Sequence, residues 1–555
     1  QAVLDENYNE SIELQLENQL NFNKQFGDHN VTATAVHQVR KRDGRGISGV
    51  GRGFAYETLN VLTQANEDGK NLNGYYSPFR MESYLGRVIY GFRNKILFTG
   101  SIRWDGVSRF GPENRWGTFP SASFAYKINE DFMRNVEQIN MLKLRFGWGA
   151  TGNSAIGSFQ YDDFLTPSNA FSPVFGTPNQ LATATYIFYS FANPVIKWEA
   201  AEMINIGFDL NAFNNRIQAS AEYYVKNQND LLVRKDVSRG FGRATTGSAP
   251  FANVGQNQNR GIEAQILYKD YQGAFKYSTS LNFTSVKNEV ISLPVPSIIT
   301  DNNITLEGHT IGSLYGYVAE RIINVDDFTG IDDETGLYTG YKWAEPSEGV
   351  PQPGDLKFKD LNRDGQITDE DRTIIGKSLP DYIIGFNFEA SWKNFDFSLF
   401  LNGVFGWQIF NAQRAGLESF VNQDINHNKL ADFAENYYTV DDPSDEYIRA
   451  DLGNSNFNNR LSTWWVENGD YLRVRDIQLG YNLPVNILNP VGIKSTRVYV
   501  SAENPLLITN YKGRDPENGA FNNNSGSENN PLRSGTDGGG FPNPRVITFG
   551  LQVEF

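Results

Sequence analysis

One short segment of the sequence has the residue types and spacing of a calcium-binding loop. Residues 360–371 read DLNRDGQITDED, with acidic or amide side chains at positions 1, 3 and 5 and glycine at position 6. EF-hand loops surround a hard cation in this way, with alternating oxygens about a sharp glycine turn. The segment lies in a wider motif at residues 354–376, flanked by strand-like sequence rather than helices. We predict a structural Ca²⁺ clip there, with these ligands: Asp360, Asn362, Asp364, the backbone carbonyl of Gln366, and Asp371.

Two features weigh on this calcium prediction. Position 12 is Asp371, where EF-hand loops use a bidentate glutamate, so affinity or geometry is expected to differ. Acidic residues at this spacing also form Asx-turns without any metal, and that alternative stays open.

A second motif matches the glycine spacing of dinucleotide-binding loops. Gly44, Gly46 and Gly49 follow a predicted strand, but no helix follows them. Basic side chains crowd the motif, which favours a basic, glycine-rich loop over a nucleotide site: Arg40, Lys41, Arg42 and Arg45.

The remaining candidates for catalysis lack the necessary arrangement. His29, His37, His309 and His427 show no metal or triad spacing. A glycosidase would need two carboxyl groups in a shielded pocket. The paired acidic residues are instead predicted to solvate a loop: Asp326, Asp327, Asp332 and Asp333. No nucleophile elbow is present, and we predict that the protein is not an enzyme.

Composition excludes several classes. The 555 residues carry a net charge of −15 and no cysteine, which excludes a disulfide scaffold, a thiolate metal site and bulk nucleic-acid binding. There is no apolar run of the ~18 residues that a transmembrane helix needs. The polar start, QAVLDENYNE, is not a secretory signal, so we expect a mature or internal piece of a longer protein.

Apolar and polar residues alternate along much of the chain. In residues 11–22, SIELQLENQLNF, apolar side chains fall on one strand face and polar side chains on the other. About fifteen such segments occur, many of them long enough for the ~9–11 residues of a membrane strand. They lie near 11–22, 31–42, 83–93, 95–105, 117–127, 141–151, 201–211, 215–227, 257–268, 274–287, 382–393, 395–406, 470–482, 495–505 and 545–555.

The spacing of these strands favours an outer-membrane barrel. Tight turns, as at Asn94 and at Lys393-Asn394, alternate with long polar segments at 43–82, 152–200, 288–381, 407–469 and 506–544. Aromatic residues end several apolar faces, as in interface girdles: Trp104, Tyr126, Trp148 and Trp392. One short helix is predicted within 428–438. The strands of a soluble β-sandwich or propeller also alternate apolar and polar residues. Such a fold is the competing interpretation, although its strands are usually shorter.

Several stretches resemble TonB-dependent outer-membrane transporters, and in particular their SusC/RagA-like branch. Residues 101–128 resemble a strand–loop–strand signature of the wider family, SIRWDGVSRFGPENRWGTFPSASFAYKI. Further matching stretches follow in order at 142–161, 193–199, 253–263, 354–376, 464–484 and 501–517, and the chain ends on an alternating strand with terminal Phe555.

The resemblance implies an all-β transmembrane antiparallel β-barrel of twenty-two strands, with 1–555 as its C-terminal part. The plug domain, TonB box and first strands are not recognisable in this chain. It further implies import of oligosaccharides or peptides through the bacterial outer membrane. The expected partners are TonB, membrane lipid and a SusD-like surface lipoprotein acting as a lid, in dimers of barrel–lid pairs. A siderophore or vitamin receptor, and a secreted carbohydrate-binding β protein, remain alternatives.

Overall fold

The computed structural model describes residues 3–54, 61–162, 164–168, 185–190, 192–234, 250–300, 302–347, 349–419, 428–452, 456–488, 492–519 and 531–555. The chain divides into two compact units. The first unit comprises residues 1–134, 143–207 and 225–256, and the second comprises 135–142, 208–224 and 257–555. Strands dominate, as the sequence predicts.

Fifteen antiparallel strands form the main sheet, each paired with its neighbours in chain order. The number of strands predicted from the sequence is therefore confirmed. The strands are β1 Val3–Phe26, β2 His29–Arg52, β3 Asn71–Phe92, β4 Ile96–Val107, β5 Trp116–Lys127, β6 Ile139–Asn153, β7 Glu199–Ala212, β8 Ile217–Asn229, β9 Gln256–Asp270, β10 Phe275–Ser292, β11 Tyr382–Trp392, β12 Phe395–Phe405, β13 Tyr471–Asn482, β14 Ser495–Thr509 and β15 Val546–Glu554.

Connections at one end of the strands are short and those at the other end are longer. β1 turns into β2 through residues 27–28, and β11 turns into β12 through 393–394. Arg93 and Asn94 close the β3–β4 turn with φ of 51° and 55°, the left-handed conformation that tight hairpins require. The longest connections lie at 154–198, 293–381, 406–470 and 510–545. This asymmetry is typical of outer-membrane barrels.

Period-two alternation determines which side chains the sheet leaves uncovered. In β7, Ile204 and Ile206 are 46% and 58% exposed, whereas the alternate residues Met203 and Asn205 are half-buried. Leu144, Phe146 and Trp148 of β6 repeat the pattern. These apolar side chains do not meet across a dry core, which fits a face that contacts lipid.

Three strands run well beyond their predicted ends. β2 continues to Arg52 and β3 begins at Asn71, so the loop predicted at 43–82 shrinks to residues 53–70. The prediction of a glycine-rich loop at Gly44, Gly46 and Gly49 was therefore wrong, since all three lie within β2. The glycines make room for neighbours: a Cβ on Gly46 would lie 2.2 Å from the Tyr75 ring, and one on Gly49 would lie 2.6 Å from Leu62.

The long connections also carry secondary structure of their own, which period-two patterning did not reveal. Short strands occur at Phe164–Ser168, Thr185–Ser190, Leu232–Arg234, Phe251–Asn253, Ile298–Thr300, Asn303–Thr305, Ser313–Gly316, Ala319–Ile322, Phe328–Ile331, Tyr338–Tyr341, Glu345–Pro346, Leu356–Phe358, Gln366–Ile367, Thr373–Gly376, Gln408–Asn411, Val466–Asn468 and Thr536–Asp537.

In the part of the chain that the structure describes, helices are few and short. The predicted helix is confirmed at Ala431–Asn436, and three others occur at Asn129–Phe132, Ala412–Leu417 and Val485–Leu488. Single 3₁₀ turns lie at Leu62–Gln64, Glu67–Gly69, Val325–Asp327, Asp369–Asp371, Pro516–Gly519 and Pro531–Arg533. Within the described ranges, no helix is long and apolar enough to span a membrane.

The larger buried apolar core forms between long connections, and a smaller one forms where connections meet strand ends. In the second unit, Trp465, Leu314, Leu356, Ile448 and Phe433 pack together almost without solvent exposure. In the first unit, Phe110, Val107 and Ile196 form a smaller core with neighbouring aromatic rings. The described parts of the long connections thus contain packed segments with buried cores.

We predict that the two faces of β7 respond differently to charge. Ile206→Arg places a cation at the middle of the exposed apolar face, where lipid contact is expected to cost about 2–4 kcal/mol of folding stability. Asn205→Arg, on the opposite face of the same strand, is the matched control and should cost much less. Urea unfolding in lipid vesicles measures both. Equal losses would contradict the assignment of the apolar face to lipid.

Candidate functional site

The predicted cation loop lies in the second unit between two short strands. Leu356–Phe358 precedes it and Thr373–Gly376 follows it, so the loop stands outside any helix–loop–helix. Glu345–Pro346 pairs in parallel with Gln366–Ile367 and holds the middle of the loop. Gly365 has φ of 87°, the left-handed conformation that lets the chain turn sharply there.

Side-chain oxygens in the first half of the loop bond to its own backbone. Asp360 accepts the N–H groups of Arg363 at 2.5 Å and Gly365 at 2.9 Å. Asn362 Oδ1 accepts the Asp364 N–H at 3.0 Å, and Asp364 Oδ1 accepts the Gln366 N–H at 2.8 Å. These bonds bring Asp360, Asn362 and Asp364 into one exposed turn, as the sequence predicts.

Asp371 plays a different part from these three residues. It is fully buried, and its two oxygens accept the N–H groups of Leu361 and Thr368, both at 2.8 Å. Its carboxylate therefore ties the two ends of the loop together. Among the described residues, no group of three or more His, Cys, Asp or Glu side chains is placed to hold a metal ion.

A buried ion pair anchors the strand that leads into the loop. Asp355 has no solvent exposure and accepts from Arg449 Nε at 2.7 Å and Asn458 Nδ2 at 2.8 Å. Burial raises the pKa of Asp355, although Arg449 and these hydrogen bonds oppose that shift. Asn458 Oδ1 also accepts the Leu356 N–H at 3.0 Å, which fixes the first residue of the strand.

The acidic pairs upstream have structural contacts beyond solvation. Asp327 forms an ion pair with Arg321, with Nη1 2.7 Å from Oδ2, and accepts the Asn324 N–H at 2.9 Å. The hydrogen bond from Arg321 lowers the pKa of Asp327. Asp332 accepts the N–H groups of Glu334 and Thr335 in a tight turn. The prediction that these residues only solvate a loop was incomplete, because Asp327 and Asp332 shape the turns.

A cavity of about 800 Å³ opens in the second unit beside the ends of β10 and β11. Tyr471 borders it and donates to Glu517 Oε1 at 2.6 Å. Trp407 is 2% exposed, and its Nε1 has no hydrogen-bond partner among the described residues. The wall thus combines aromatic rings with amide and charged groups, which suits a polar ligand. Other members of the lining are Asn288, His309, Lys377 and Asp381.

Sequence reasoning missed this cavity because its lining residues come from segments far apart in the chain. No local pattern marks these residues, and they come together only when the strands from β9 to β13 pair and the connections at 293–381, 406–470 and 510–545 fold beside them. His309, for which the sequence predicted no metal or catalytic role, lies in the wall of this cavity. His37 stacks on Tyr84 at 4.8 Å within the sheet, and His427 lies outside the described residues.

A second hollow, of about 600 Å³, lies on the polar face of the first unit. Small residues of β4, β5 and β6 create this hollow, because they project little above the backbone of the sheet: Ser101, Ser121, Gly147 and Gly149. Ser101 and Ser121 share a hydrogen bond of 2.7 Å across the strands. The polar face therefore has room for a polar chain, whereas the opposite face carries the exposed apolar residues.

Known proteins match this architecture. A family model described as TonB dependent receptor-like, beta-barrel matches residues 3–505. TonB-dependent receptor P3 of Formosa agariphila is 30% identical over 97% of this chain and 52% of its own length. TonB-dependent receptor SusC of Bacteroides thetaiotaomicron is 30% identical over 89% of this chain and 46% of its own.

The fold resembles a solved transporter. A chain of the structure titled "Structure of the RagAB peptide transporter" superposes with a TM-score of 0.80 at 23% identity, covering 99% of this chain and 56% of that one. The chain spans about half the length of the relatives it matches. Since the family model covers most of its residues, the chain belongs to the TonB dependent receptor-like β-barrel family of bacterial outer-membrane proteins.

Proposed function

We propose that the protein imports oligosaccharides or peptides across the outer membrane, driven by TonB. The observation that carries this proposal is the fifteen-strand antiparallel sheet, with its exposed apolar face and hollowed polar face, in a chain 30% identical to SusC. Such an importer binds and releases its cargo unchanged. The protein is therefore not an enzyme in this proposal.

The proposed partners follow from the same relationship. A SusD-like lipoprotein would cover the long connections as a lid, and TonB would act through a part of the protein outside this chain. Two barrel–lid pairs would form a dimer. The packed connections support a docked lid, because segments with their own cores present a defined surface rather than loose chain.

Uptake by whole cells tests the proposed function. We predict that fluorescent oligosaccharides or peptides enter cells that produce the protein, and that uptake falls to background without TonB or without the lipoprotein. Ferric siderophores and vitamins are the comparison substrates. Growth on those alone would favour the receptor alternative, and a chain that stays soluble without detergent would exclude import.

We further propose that residues 360–371 bind Ca²⁺ as a structural clip. Support comes from Asp360, Asn362 and Asp364, whose oxygens are gathered into one exposed turn around Gly365. Gln366 would add its carbonyl. Asp371 would share a carboxylate that already holds the loop ends: its Oδ1 accepts the N–H groups of Leu361 and Asn362, and its Oδ2, which accepts the Thr368 N–H, would offer its second lone pair to the cation. The cation would neutralise charge and stiffen the loop.

We predict that Ca²⁺ protects this loop from protease and that Asp364→Ala abolishes the protection. Removing one ligand carboxylate leaves too few charged oxygens for a hard cation. Asp333→Ala, which removes an exposed carboxylate from another turn of the same unit, is the control. Protease mapping across a calcium titration reports the effect. Identical protection of the wild-type and Asp364→Ala proteins would leave the loop as a metal-free turn.

A further inference from the structure

Three arginines of the first unit surround one phenylalanine ring. The guanidinium carbons of Arg40 and Arg109 each lie 5.0 Å from the centre of the Phe79 ring, and that of Arg42 lies 5.5 Å from it. Phe79 itself is 4% exposed. We call these three arginines the arginine cluster. Three like charges are thus held about a single apolar side chain.

Strand geometry places the arginine cluster on the polar face of the sheet. Arg40 and Arg42 are two residues apart in β2 and therefore point to the same side. Arg42 pairs with Phe79 of β3 and with Glu13 of β1, and Glu13 belongs to the polar face predicted from residues 11–22. Arg109 follows β4 and is fixed by a 2.8 Å hydrogen bond from its Nη1 to the carbonyl oxygen of Ser154.

The arginine cluster has less negative charge than positive charge. Glu13 lies 3.7 Å from Arg40 Nε, beyond hydrogen-bond distance. Asp43, the nearest acidic residue along β2, pairs with Lys41 and Arg80 instead. Among the described residues no other carboxylate forms an ion pair with the three guanidiniums. One carboxylate therefore faces three cations, in a protein whose net charge is −15.

Burial makes this imbalance costly. The Nε atoms of Arg40 and Arg109 are buried and have no hydrogen-bond partner among the described residues. Burial and the charges of Arg42 and Arg40 lower the pKa of Arg109, which nevertheless stays protonated at any physiological pH. Stacking on a ring offsets part of the repulsion but satisfies no N–H group. An anion with several acceptor oxygens would satisfy these N–H groups and balance the charge.

We propose that the arginine cluster binds an oxyanion, a sulfate or carboxylate group carried by the imported substrate, so that the protein selects acidic oligosaccharides or acidic peptides. This inference rests on the proposed import function and specifies its substrate class. Guanidinium groups suit the role because their N–H groups match planar and tetrahedral oxyanions. Arg40 pairs with Met81 and Met81 pairs with Val107, so the cluster lies level with the end of β4, where it would attract an anionic chain that passes along the polar face.

The test uses the protein purified from outer membranes in detergent, with inorganic sulfate and acetate as probes at constant ionic strength. We predict that sulfate, acetate or both raise the thermal unfolding midpoint of the wild-type protein. Arg42→Gln, which keeps a long polar side chain but removes the charge, should weaken anion binding by at least about tenfold, the loss of one charge-assisted contact. It should also raise the midpoint measured without anion, because it removes repulsion.

Arg45→Gln is the matched control. Arg45 belongs to the same strand and also stacks on a ring, that of Tyr76 at 5.5 Å, but it lies outside the arginine cluster. The control should bind anions like the wild type, and it corrects for the general stabilising effect of sulfate on folded proteins. A lower midpoint for Arg42→Gln together with equal anion responses of all three proteins would overturn the proposal and leave a purely structural stack.

The anion-binding proposal and the import proposal can be refuted separately. Anion binding is measured on purified protein without TonB, so a bound anion with no cellular uptake would refute import alone. Uptake of neutral oligosaccharides that Arg42→Gln leaves unchanged, combined with no anion binding, would refute the arginine cluster as a substrate site and leave the proposed import intact.

Discussion

Backbone hydrogen bonding between neighbouring antiparallel strands is the interaction on which the rest of this structure depends. Lipid offers no partner for a backbone N–H or carbonyl group, so a segment within it must satisfy these groups through its neighbours. The unbroken order of pairing from β1 to β15 meets this requirement strand by strand. Once the pairing is fixed, the face of each side chain is fixed as well, because successive residues of a strand point to opposite sides of the sheet.

Because the apolar face of the sheet stays exposed, the buried apolar cores of the protein lie outside that face. A soluble sheet buries one face against another layer, but here the apolar side chains of strands such as β6 and β7 remain exposed. Tight packing is found instead within the long connections around Trp465 in one unit, and where connections meet strand ends around Phe110 in the other. The connections can therefore be long without being unstructured, since each large insertion brings its own buried residues.

Local pattern predicted the sheet well and the sites unevenly. The strand count was recoverable because period-two alternation is a property of consecutive residues. The glycine motif at Gly44, Gly46 and Gly49 was wrongly predicted to be a loop, because the reason for glycine there is not local. Tyr75 and Leu62 occupy the space that side chains on Gly46 and Gly49 would need.

The same distinction separates the site predictions. The loop at 360–371 was visible because its oxygens belong to one short segment, and its turn forms as expected. The cavity beside Trp407 was invisible, because its wall is assembled from several strands and their connections. The arginine cluster stands between these cases. Arg40 and Arg42 are conspicuous in the sequence, but Phe79 and Arg109 join them only through strand register.

The two faces of the sheet are under different physical constraints, and this has a consequence for specificity. The apolar face needs only hydrophobic side chains of tolerable size, since lipid does not demand shape complementarity. The polar face and the connections carry every group able to recognise a solute, including the hollow around Ser101 and Ser121. Substitutions on the polar face leave lipid contacts untouched, so a barrel of this family can change its cargo without rebuilding its fold. At the arginine cluster, where one carboxylate faces three guanidinium groups in a protein that is acidic overall, we infer such a contact with the cargo, since stacking on Phe79 satisfies no N–H group.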